Sequence, residues 1–582
     1  MGLLVLDGNQ IYKAFIGGAK RLIMNKADLN RINVFPVADG DTGSNMAFLM
    51  QTIIAEAKPS DSISDTLESI ASASLTGSRG NSGLIFSEYL YGLFEHLHGK
   101  VTATIHDLSA AFKHAADKAY KAILNPVEGT ILTVLRKVGE AQSSHNDFVS
   151  YFEDTLKIAK SALLETTEEL EILKSSGVVD AGAKGFTVFL EGIHHYFVTG
   201  DFEMEDIIHI EEALEDLHVE DSEERYCTEA LIVDTIVESE KLKQIFSSEG
   251  TSLIVSGRVD KTRIHIHTNH PDKFFLKLSN YGKIIEQKVD DMHRQLDAVR
   301  KSHPDIAILT DSIADIPKEL MDKYHIHMMP IGLLVDDTPY LDKVTISSET
   351  FYQLLKKADH FSSSQPNQKQ IDRMLDFLLD HYREVLIITV SSQMSGTYNS
   401  FIQYAKKHPQ IKVFDSLQNS GAEGLVVLEA AKLVESNLNS EQIINHLNEF
   451  TKKTKIFVSV KTLKYMVKQG RISKVTGFAA KLMNLKPVVG IDEFGKGEIT
   501  KKAFSLKGNI RHILKLISKN EITQYVIVHA EAEDRANRLA VQIEKQTGIK
   551  PLYITSISPV VAMNAGLGAV AVALTYKEEV KI

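Results

Sequence analysis

Two carboxylates stand two residues apart in the polar stretch VFPVADGDTGSNM, residues 34–46. Asp39 and Asp41 are followed closely by Thr42, Ser44 and Asn45. Asp, Gly, Ser and Asn are the ordinary residues of surface turns, so a turn is one interpretation. Two acids at this spacing also offer oxygen ligands to a hard cation such as Mg²⁺, which is the other interpretation. The stretch alone leaves both open.

Three more polar stretches that contain glycine interrupt the first 200 residues: GSRGNSG at 77–83, NPVEGT at 125–130 and SSGVVDAGAKG at 175–185. The segments between them favour helix, because apolar residues such as Leu108 and Phe112 recur at helical spacing. Glycine costs about 1 kcal/mol inside a helix, so these stretches are predicted to be loops and helix starts. The four loops either converge at one end of a helical bundle or are unrelated connections.

Convergence would suit phosphate transfer. A cation held by Asp39 and Asp41 would neutralise the phosphates. Backbone N–H groups and hydroxyls of residues 77–83 would hold them, most effectively at the start of a helix. The sequence contains neither a Walker motif nor a kinase-type glycine loop before a strand. The residues by themselves therefore give a weak nucleotide-binding hypothesis.

A second group of metal-ligating residue types lies in the middle of the chain. His265 and His267 stand at i and i+2 in RIHIHTN, a predicted strand, so both side chains point to one face. The single cysteine, Cys227, lies in RYCTEA. One cysteine with two histidines suits Zn²⁺. The alternative is a buried cysteine and two polar strand residues.

From residue 305 onward, short β-branched runs alternate with helical segments, which predicts an α/β domain with a largely parallel sheet. In such sheets ligands bind beyond the carboxyl ends of the strands. The small polar residues at these ends are Asp311, Ser312, Ser391, Ser392, Asp415 and Ser416.

Length and composition limit the class of protein. A chain of 582 residues predicts three or four domains, and a formal net charge of -11 argues against general nucleic-acid binding. One cysteine fits a reducing compartment. No apolar run reaches 18 residues and the first residues lack a signal-peptide pattern, so we expect a cytoplasmic protein without a transmembrane segment. Residues 201–225 are strongly acidic and predict a linker or a solvated helix.

The first four motifs, in their order, resemble the DhaL-type kinase domain, and more closely the N-terminal domain of the bacterial fatty acid kinase subunit. The resemblance covers residues 1–200 and implies an all-α, eight-helix barrel that binds ATP with two Mg²⁺ ions at one end. Asp39 and Asp41 would be the catalytic metal ligands, whereas Asn33 lies near the place of a third carboxylate in the sugar-kinase branch. The residues implied at the nucleotide are Thr42, Ser44, Asn45, Ser82, Gly83, Gly129, Thr130, Asp180 and Gly182.

The stretches YCTEALI and IHIHTNHP resemble the middle domain of the same kinase protein, here at residues 226–300. The resemblance implies a small α/β domain in which Cys227, His265 and His267 bind zinc. We expect this zinc to be structural, because no general base is evident beside it in the sequence.

Six stretches between residues 305 and 582, among them ILTDSIADIP, SSQMSGTYNS and LKYMVKQGRISK, resemble the DegV family of fatty-acid-binding proteins. The resemblance implies an α/β domain of two subdomains that holds a long-chain fatty acid. Hydroxyls and one guanidinium would satisfy the carboxylate, which is costly to bury unpaired. Capping of helix N-termini is the alternative role for the hydroxyls. The residues implied at the lipid are Ser363, Ser364, Ser392, Thr397, Arg471 and Asn564.

Two of these positions depart from the family pattern. Asn564 stands where the family usually has histidine, and Ser363 stands where it has threonine. Kinase and carrier, which are separate proteins in the resembled system, would here be one chain, so transfer would be partly intramolecular.

Together the resemblances imply a fatty acid kinase-like protein that makes acyl phosphate from ATP and a bound fatty acid. We expect a homodimer that makes transient membrane contact for lipid exchange. Two alternatives stay open. One is a non-catalytic lipid-binding or regulatory protein, which Asn564 favours. The other is a small-polyol kinase of the dihydroxyacetone type.

Overall fold

The computed structural model describes residues 4–141, 145, 147–202, 223–299, 304–358, 360–470 and 485–580. The chain divides into two compact units, Met1–Val299 and Arg300–Ile582. Most of the expected acidic linker at 201–225 lies outside the described residues, and so does Arg471.

The first part of unit 1 is helical throughout its described residues. Eight helices have 10 to 22 residues, and two have six residues each. The eight longer helices agree with the expected eight-helix barrel. The bounds are α1 Gly8–Met24, α2 Lys26–Arg31, α3 Thr42–Glu56, α4 Ile63–Gly77, α5 Gly80–Leu97, α6 Ile105–Ala122, α7 Ile131–Glu140, α8 Phe148–Glu169, α9 Glu171–Ser176 and α10 Ala181–Thr199.

Side-chain caps and close glycine contacts fix these helices. Asp7 accepts a hydrogen bond from the Gln10 N–H at the start of α1 and satisfies an otherwise unpaired donor. Where α1 meets α10, a Cβ atom on Gly192 would lie 2.5 Å from the Gly17 carbonyl oxygen. The two helices can approach this closely because neither glycine has a side chain at the contact.

The middle part of unit 1 is a four-stranded antiparallel sheet with the order β2-β3-β1-β4. Helices α11 and α12 cover the face that carries Ala230, Ile232, Ile264 and Ile266. The bounds are β1 Tyr226–Val233, α11 Ser239–Phe246, β2 Thr251–Arg258, β3 Lys261–Thr268, α12 Pro271–Leu278, β4 Lys283–Asp291 and α13 Met292–Val299.

The opposite face of this sheet packs on the helical part. The buried Arg263 donates to the carbonyls of Leu75 and Thr76 at the end of α4. Ser256 donates to Glu88 on α5 at 2.6 Å. Ile254 belongs to the hydrophobic core of the helical part. The alternation of side chains along the strands therefore gives one face to α11 and α12 and the other to the helical barrel.

The described residues of unit 2 form three sheets, and these correct part of the expected topology. The sheet β11-β10-β5-β6 is parallel, as predicted. The six-stranded sheet β14-β13-β12-β17-β15-β16 is antiparallel except for the pair β15 and β16. A short β-branched run predicts a strand but not its direction, so the prediction of a largely parallel sheet was wrong for this layer.

The remaining sheet has the order β8-β7-β9. The bounds in unit 2 are β5 Ile306–Asp311, α14 Lys318–Lys323, β6 His327–Met329, β7 Gly332–Val335, β8 Thr338–Leu341, α15 Ser348–Leu355, β9 Phe361–Ser364, α16 Gln368–His381, β10 Glu384–Thr389, α17 Thr397–Ala405, β11 Ile411–Asp415, α18 Ser420–Glu435, α19 Ser440–Lys453, β12 Thr454–Ser459, α20 Lys464–Lys468, β13 Val488–Ile491, β14 Gly497–Lys501, α21 Leu506–Ile517, β15 Ile522–His529, α22 Glu533–Thr547, β16 Ile554–Ser556, α23 Pro559–Ala565 and β17 Val570–Tyr576. Among the described residues, no helix combines the length and the apolarity that crossing a bilayer requires.

Candidate functional sites

The acid pair lies in the loop that leads into α3, with Asp41 as the residue before the helix. Asn33 donates to Asp39 at 3.0 Å and to the Val37 carbonyl at 2.8 Å, so its amide shapes the loop. Burial and the neighbouring Asp41 raise the pKa of Asp39 well above its usual range, and burial also raises the pKa of Asp41. Two carboxylates that resist ionisation next to each other are the donor set that a divalent cation stabilises, so the loop fits Mg²⁺.

The four glycine-containing loops converge at one end of the helical part. Asn45 on α3 hydrogen-bonds to Asp41, and its amide lies where a side chain on Gly80, at the start of α5, would begin. A Cβ atom on Gly182, at the start of α10, would lie 2.6 Å from Ser82 Oγ. The backbone N–H of Ile131, at the start of α7, donates to Asp180. The N-termini of α3, α5, α7 and α10 thus meet, and converging helix N-termini favour phosphate groups.

Several of the expected nucleotide residues already have structural partners. Thr130 caps α7, accepting from the Leu132 N–H, and Asp180 caps α10, accepting from the Ala183 N–H at 2.7 Å. Burial raises the pKa of Asp180 to about 7. Ser44 accepts from the Asn30 side chain at 2.9 Å, and Thr42 donates to Asn33. These contacts place Thr42, Ser44, Thr130 and Asp180 where the helix N-termini converge.

The middle domain brings Cys227, His265 and His267 together on its inner face. One ligand atom from each lies within 4.8 Å of the others, and Cys227 Sγ is 3.8 Å from His265 Nδ1. A tetrahedral zinc site has ligand atoms about 3.5 Å apart, given bond lengths of about 2.1–2.3 Å. Burial lowers the pKa of His267 to about 3, so its imidazole is neutral, as metal ligation requires. The trio fits Zn²⁺.

The acid pair and this trio are neighbours. Val37, two residues before Asp39, packs with Cys227 and Met292 in one small buried cluster. Glu229, two residues after Cys227, accepts a hydrogen bond from the Gly80 N–H at 2.8 Å. We expected a structural zinc site because no general base was evident beside it in the sequence, and the structure places the trio next to the acid pair and the start of α5.

Three residues of this composite centre are absent from the site residues predicted from the sequence: Glu229, Lys288 and Asp290. Lys288 Nζ lies 2.7 Å from Asp290 and 3.3 Å from Glu229. Burial alone would raise the pKa of Glu229, but the charges of Lys288 and Arg263 and a hydrogen bond with His265 hold it well below its usual range. Glu229 and Cys227 stand at i and i+2 on β1, so their side chains share a strand face. This spacing is the sequence signal that could have identified Glu229 as part of the centre.

Unit 2 contains a cavity of about 520 Å³ with mostly apolar walls. Its lining includes residues that follow the parallel strands within about five positions: Ile313 after β5, Val390 after β10, and Asn419 and Ser420 after β11. The cavity therefore lies beyond the carboxyl ends of these strands, where the sequence pattern predicts a ligand.

The predicted lipid residues divide into three groups. Ser363, Ser364 and Asn564 line the cavity. Ser392 and Thr397 do not: the Ser392 N–H donates to Asp415, and the buried Thr397 hydroxyl bonds with Ser395, which does line it. Arg471 lies outside the described residues.

The strand-end polar residues mostly hold loops together. Asp311 accepts from the N–H groups of Ile313 and Val390, and Ser391 donates to the Gly495 carbonyl. Ser312 donates to Asp342, and Asp415 accepts from the Leu417 N–H. These bonds fix the loops that form the cavity wall.

Comparison with known proteins agrees with the domain order. The family model "Uncharacterised protein, DegV family" matches residues 305–577. A DegV domain-containing protein of Clostridium acetobutylicum is 30% identical over 278 residues, which cover 47% of this chain and 99% of that protein. The chain belongs to the DegV family. Ahead of the DegV domain, the model "DAK2 domain" matches residues 36–195, and a model for the middle domain of proteins like fatty acid kinase FakA matches residues 223–299.

Two further similarities involve proteins of Bacillus subtilis. Protein YloV is 30% identical over 315 residues, which cover 51% of this chain and 57% of YloV, so the chain spans little more than half of that relative. The crystal structure described as "DegV, a fatty acid binding protein" is 27% identical and has a TM-score of 0.44. The match covers 47% of this chain and 100% of the chain in that structure.

Proposed function

We propose that the protein is a fatty acid kinase-like enzyme. Unit 1 binds ATP with Mg²⁺, and the DegV domain binds a long-chain fatty acid. The γ-phosphoryl group is transferred to the acyl carboxylate, giving an acyl phosphate and ADP. The observation that carries this proposal is the presence, in one chain, of an acid pair at converging helix N-termini and of an apolar cavity. The match to a fatty acid kinase-like middle domain supports the choice of acceptor.

The residues of the helical part would act by position and charge. Asp39 and Asp41 would hold Mg²⁺, which when bound supplies charge neutralisation at the phosphates. The backbone N–H groups at the starts of α5 and α10 would orient the triphosphate. A fatty acid carboxylate has a pKa near that of other carboxyl groups, about 4–5, and is ionised at neutral pH. No general base is then required, and the rate depends on positioning.

The cavity of the DegV domain would hold the acyl chain. Its apolar wall, from Ile313 to Ala571, would exclude water from the chain, and Ser363 and Ser364 offer hydroxyls to the head group. Cys227, His265 and His267 would hold Zn²⁺ beside the acid pair. The proposed zinc stabilises the inner face of the middle domain, against which the acid loop packs.

The deciding experiment supplies γ-labelled ATP and Mg²⁺ to the full chain with oleate or with dihydroxyacetone. We expect label in acyl phosphate with oleate and none in dihydroxyacetone. Label in dihydroxyacetone would identify a polyol kinase. Lipid that co-purifies and is never phosphorylated would identify a non-catalytic lipid-binding protein.

A further inference from the structure

Lys288 is a buried cation at the junction of the two candidate metal sites. It lies on β4, with a side chain that is 3% exposed. Its Nζ is 2.7 Å from Asp290 Oδ2 and 3.3 Å from Glu229 Oε1. The strand register explains these contacts, because Lys288 stands opposite Glu229 across the pair β1 and β4.

Glu229 connects Lys288 to the start of α5. Its side chain is fully buried, and Oε1 accepts the Gly80 N–H at 2.8 Å while facing Lys288. Gly80 has a left-handed backbone conformation, with φ of 61°, and belongs to the glycine-rich stretch at 77–83. The ammonium group is thereby fixed near the backbone donors that would hold phosphate.

Lys288 also acts on the acid pair. Its ammonium interacts electrostatically with the carboxylates of both Asp39 and Asp41. The neighbouring Arg263 has other partners, since its guanidinium donates to Glu286 and to the carbonyls of Leu75 and Thr76. Lys288 is therefore a buried cation that faces the acid pair, the trio and the start of α5 together.

Phosphoryl transfer from ATP requires positive charge at the transferred group, and kinases commonly supply it with a lysine as well as with Mg²⁺. The helical part has no Walker lysine. We propose that Lys288, contributed by the middle domain, is a catalytic residue that contacts the γ-phosphoryl group and stabilises its charge during transfer. This inference rests on the proposed function of the same site.

The chemical balance of the step needs no added reactant. The bond between the γ-phosphorus and the β–γ bridging oxygen breaks, and its electron pair leaves with ADP. A new phosphorus–oxygen bond forms to the acyl carboxylate. Lys288 stays protonated throughout and accompanies the charge as it moves. Glu229 and Asp290 hold the ammonium in place.

The test compares Lys288→Gln, Lys288→Arg and the control Lys283→Gln in the full chain. Lys283 lies exposed on the same strand. The measurements are the affinity for Mn²⁺ alone, the affinity for ATP with Mn²⁺, and acyl phosphate formation. Removing a cation beside the acid pair should tighten binding of Mn²⁺ alone about tenfold, since charge effects of one pKa unit are tenfold.

The same Lys288→Gln change should weaken ATP binding about tenfold and lower turnover by at least about a hundredfold, because a charge-assisted contact is lost. Lys288→Arg should recover part of the ATP affinity and part of the turnover, and Lys283→Gln should resemble wild type in both. Opposite shifts for metal and nucleotide would not arise from misfolding. Metal and nucleotide affinities that fall together, or that stay unchanged, would overturn the inference.

Failure of the proposed function gives a different result. If wild type binds ATP but never phosphorylates a fatty acid, the acceptor is wrong. The opposite shifts in Lys288→Gln would then still support its contact with the phosphates. If Lys288→Gln binds ATP as tightly as wild type, the contact itself is refuted whatever the acceptor.

Discussion

At the cavity wall, one amide atom of Asn564 has a hydrogen-bond partner and the other has none. Its Nδ2 donates to the Val560 carbonyl, four residues earlier on α23, at 2.7 Å. Its Oδ1 is buried and accepts no hydrogen bond. The helix carbonyl fixes this orientation, because reversing the amide would place two acceptors against each other. A carboxylate head group placed at Asn564 would therefore meet an acceptor where it needs a donor.

We predict that Asn564→His increases oleate affinity by about tenfold or more, because it replaces an acceptor with a charged donor, whose hydrogen bond contributes roughly 1.5–3 kcal/mol. Fluorescent fatty acid displacement at pH 6 and pH 8 would measure it, with the larger gain at pH 6. Met466→Leu, at another wall residue, is the control. An equal gain from both changes would refute the charge argument.

The acid pair gives a second prediction for single residues. Asp41→Asn should abolish acyl phosphate formation while leaving oleate binding unchanged, because the acids and the cavity belong to different units. Asp260→Asn, at an exposed turn of the middle domain, serves as the control. Turnover at the wild-type rate in Asp41→Asn, with saturating Mg²⁺ and ATP, would remove Asp41 from the metal site.

At the scale of elements, we expect the stability of strand β3 to depend on what its two histidines bind. We predict one equivalent of Zn²⁺ in freshly purified protein, held by Cys227, His265 and His267. Cys227→Ser should lower both the zinc content and the melting temperature, since zinc bound in a site of this kind adds to folding free energy. His270→Gln, on an exposed residue just beyond the strand, should change neither. Zinc-free protein that melts at the wild-type temperature would contradict the site.

The crossing of α1 and α10 gives a prediction of its own. Gly192→Ala should destabilise unit 1 by about 1–3 kcal/mol, because the added methyl group meets backbone of Gly17 and Gly18 rather than a side chain that can move. Urea denaturation followed by circular dichroism would measure the change. Leu164→Ala, at a 70% exposed position on α8, is expected to cost far less.

For the whole molecule, buried acids make the stability of the DegV domain depend on pH. Asp342 is fully buried between the Ser312 hydroxyl and the Val560 N–H, and burial raises its pKa to about 7. Between about pH 4 and pH 7 the folded domain keeps a proton that the unfolded chain has released. Stability is therefore expected to fall as pH rises through this window.

Asp342→Asn should flatten this dependence, because the amide needs no proton to remain neutral. Hydrogen exchange of β17, compared between variant and wild type at pH 5, 6, 7 and 8, would report it. We expect the variant to gain in relative protection as pH rises. A constant ratio across the four pH values would exclude Asp342 as the source.

The sequence predicts residues that belong to local motifs and misses those that meet only in the fold. The acid pair, the glycine loops and the histidines at i and i+2 each carry their signal within a few neighbouring positions. Glu229 and Lys288 meet across β1 and β4, 59 residues apart, and nothing local to either one predicts the pairing. Strand direction in the six-stranded sheet is missed for the same reason, because it depends on connections rather than on composition.

The helical part and the middle domain of unit 1 share a hydrophobic core, and this limits where genes for such proteins can recombine. Ile254 completes the core of the helical part, and Glu229 satisfies the Gly80 N–H. A recombination breakpoint near residue 200 would leave the helical product without Ile254 in its core. The other product would keep the Glu229 carboxylate without the Gly80 N–H that donates to it. A breakpoint near residue 300 separates two units that each keep their own core. Gene fusion and fission are therefore expected at the second position, whereas exchange at the first should yield chains that fail to fold.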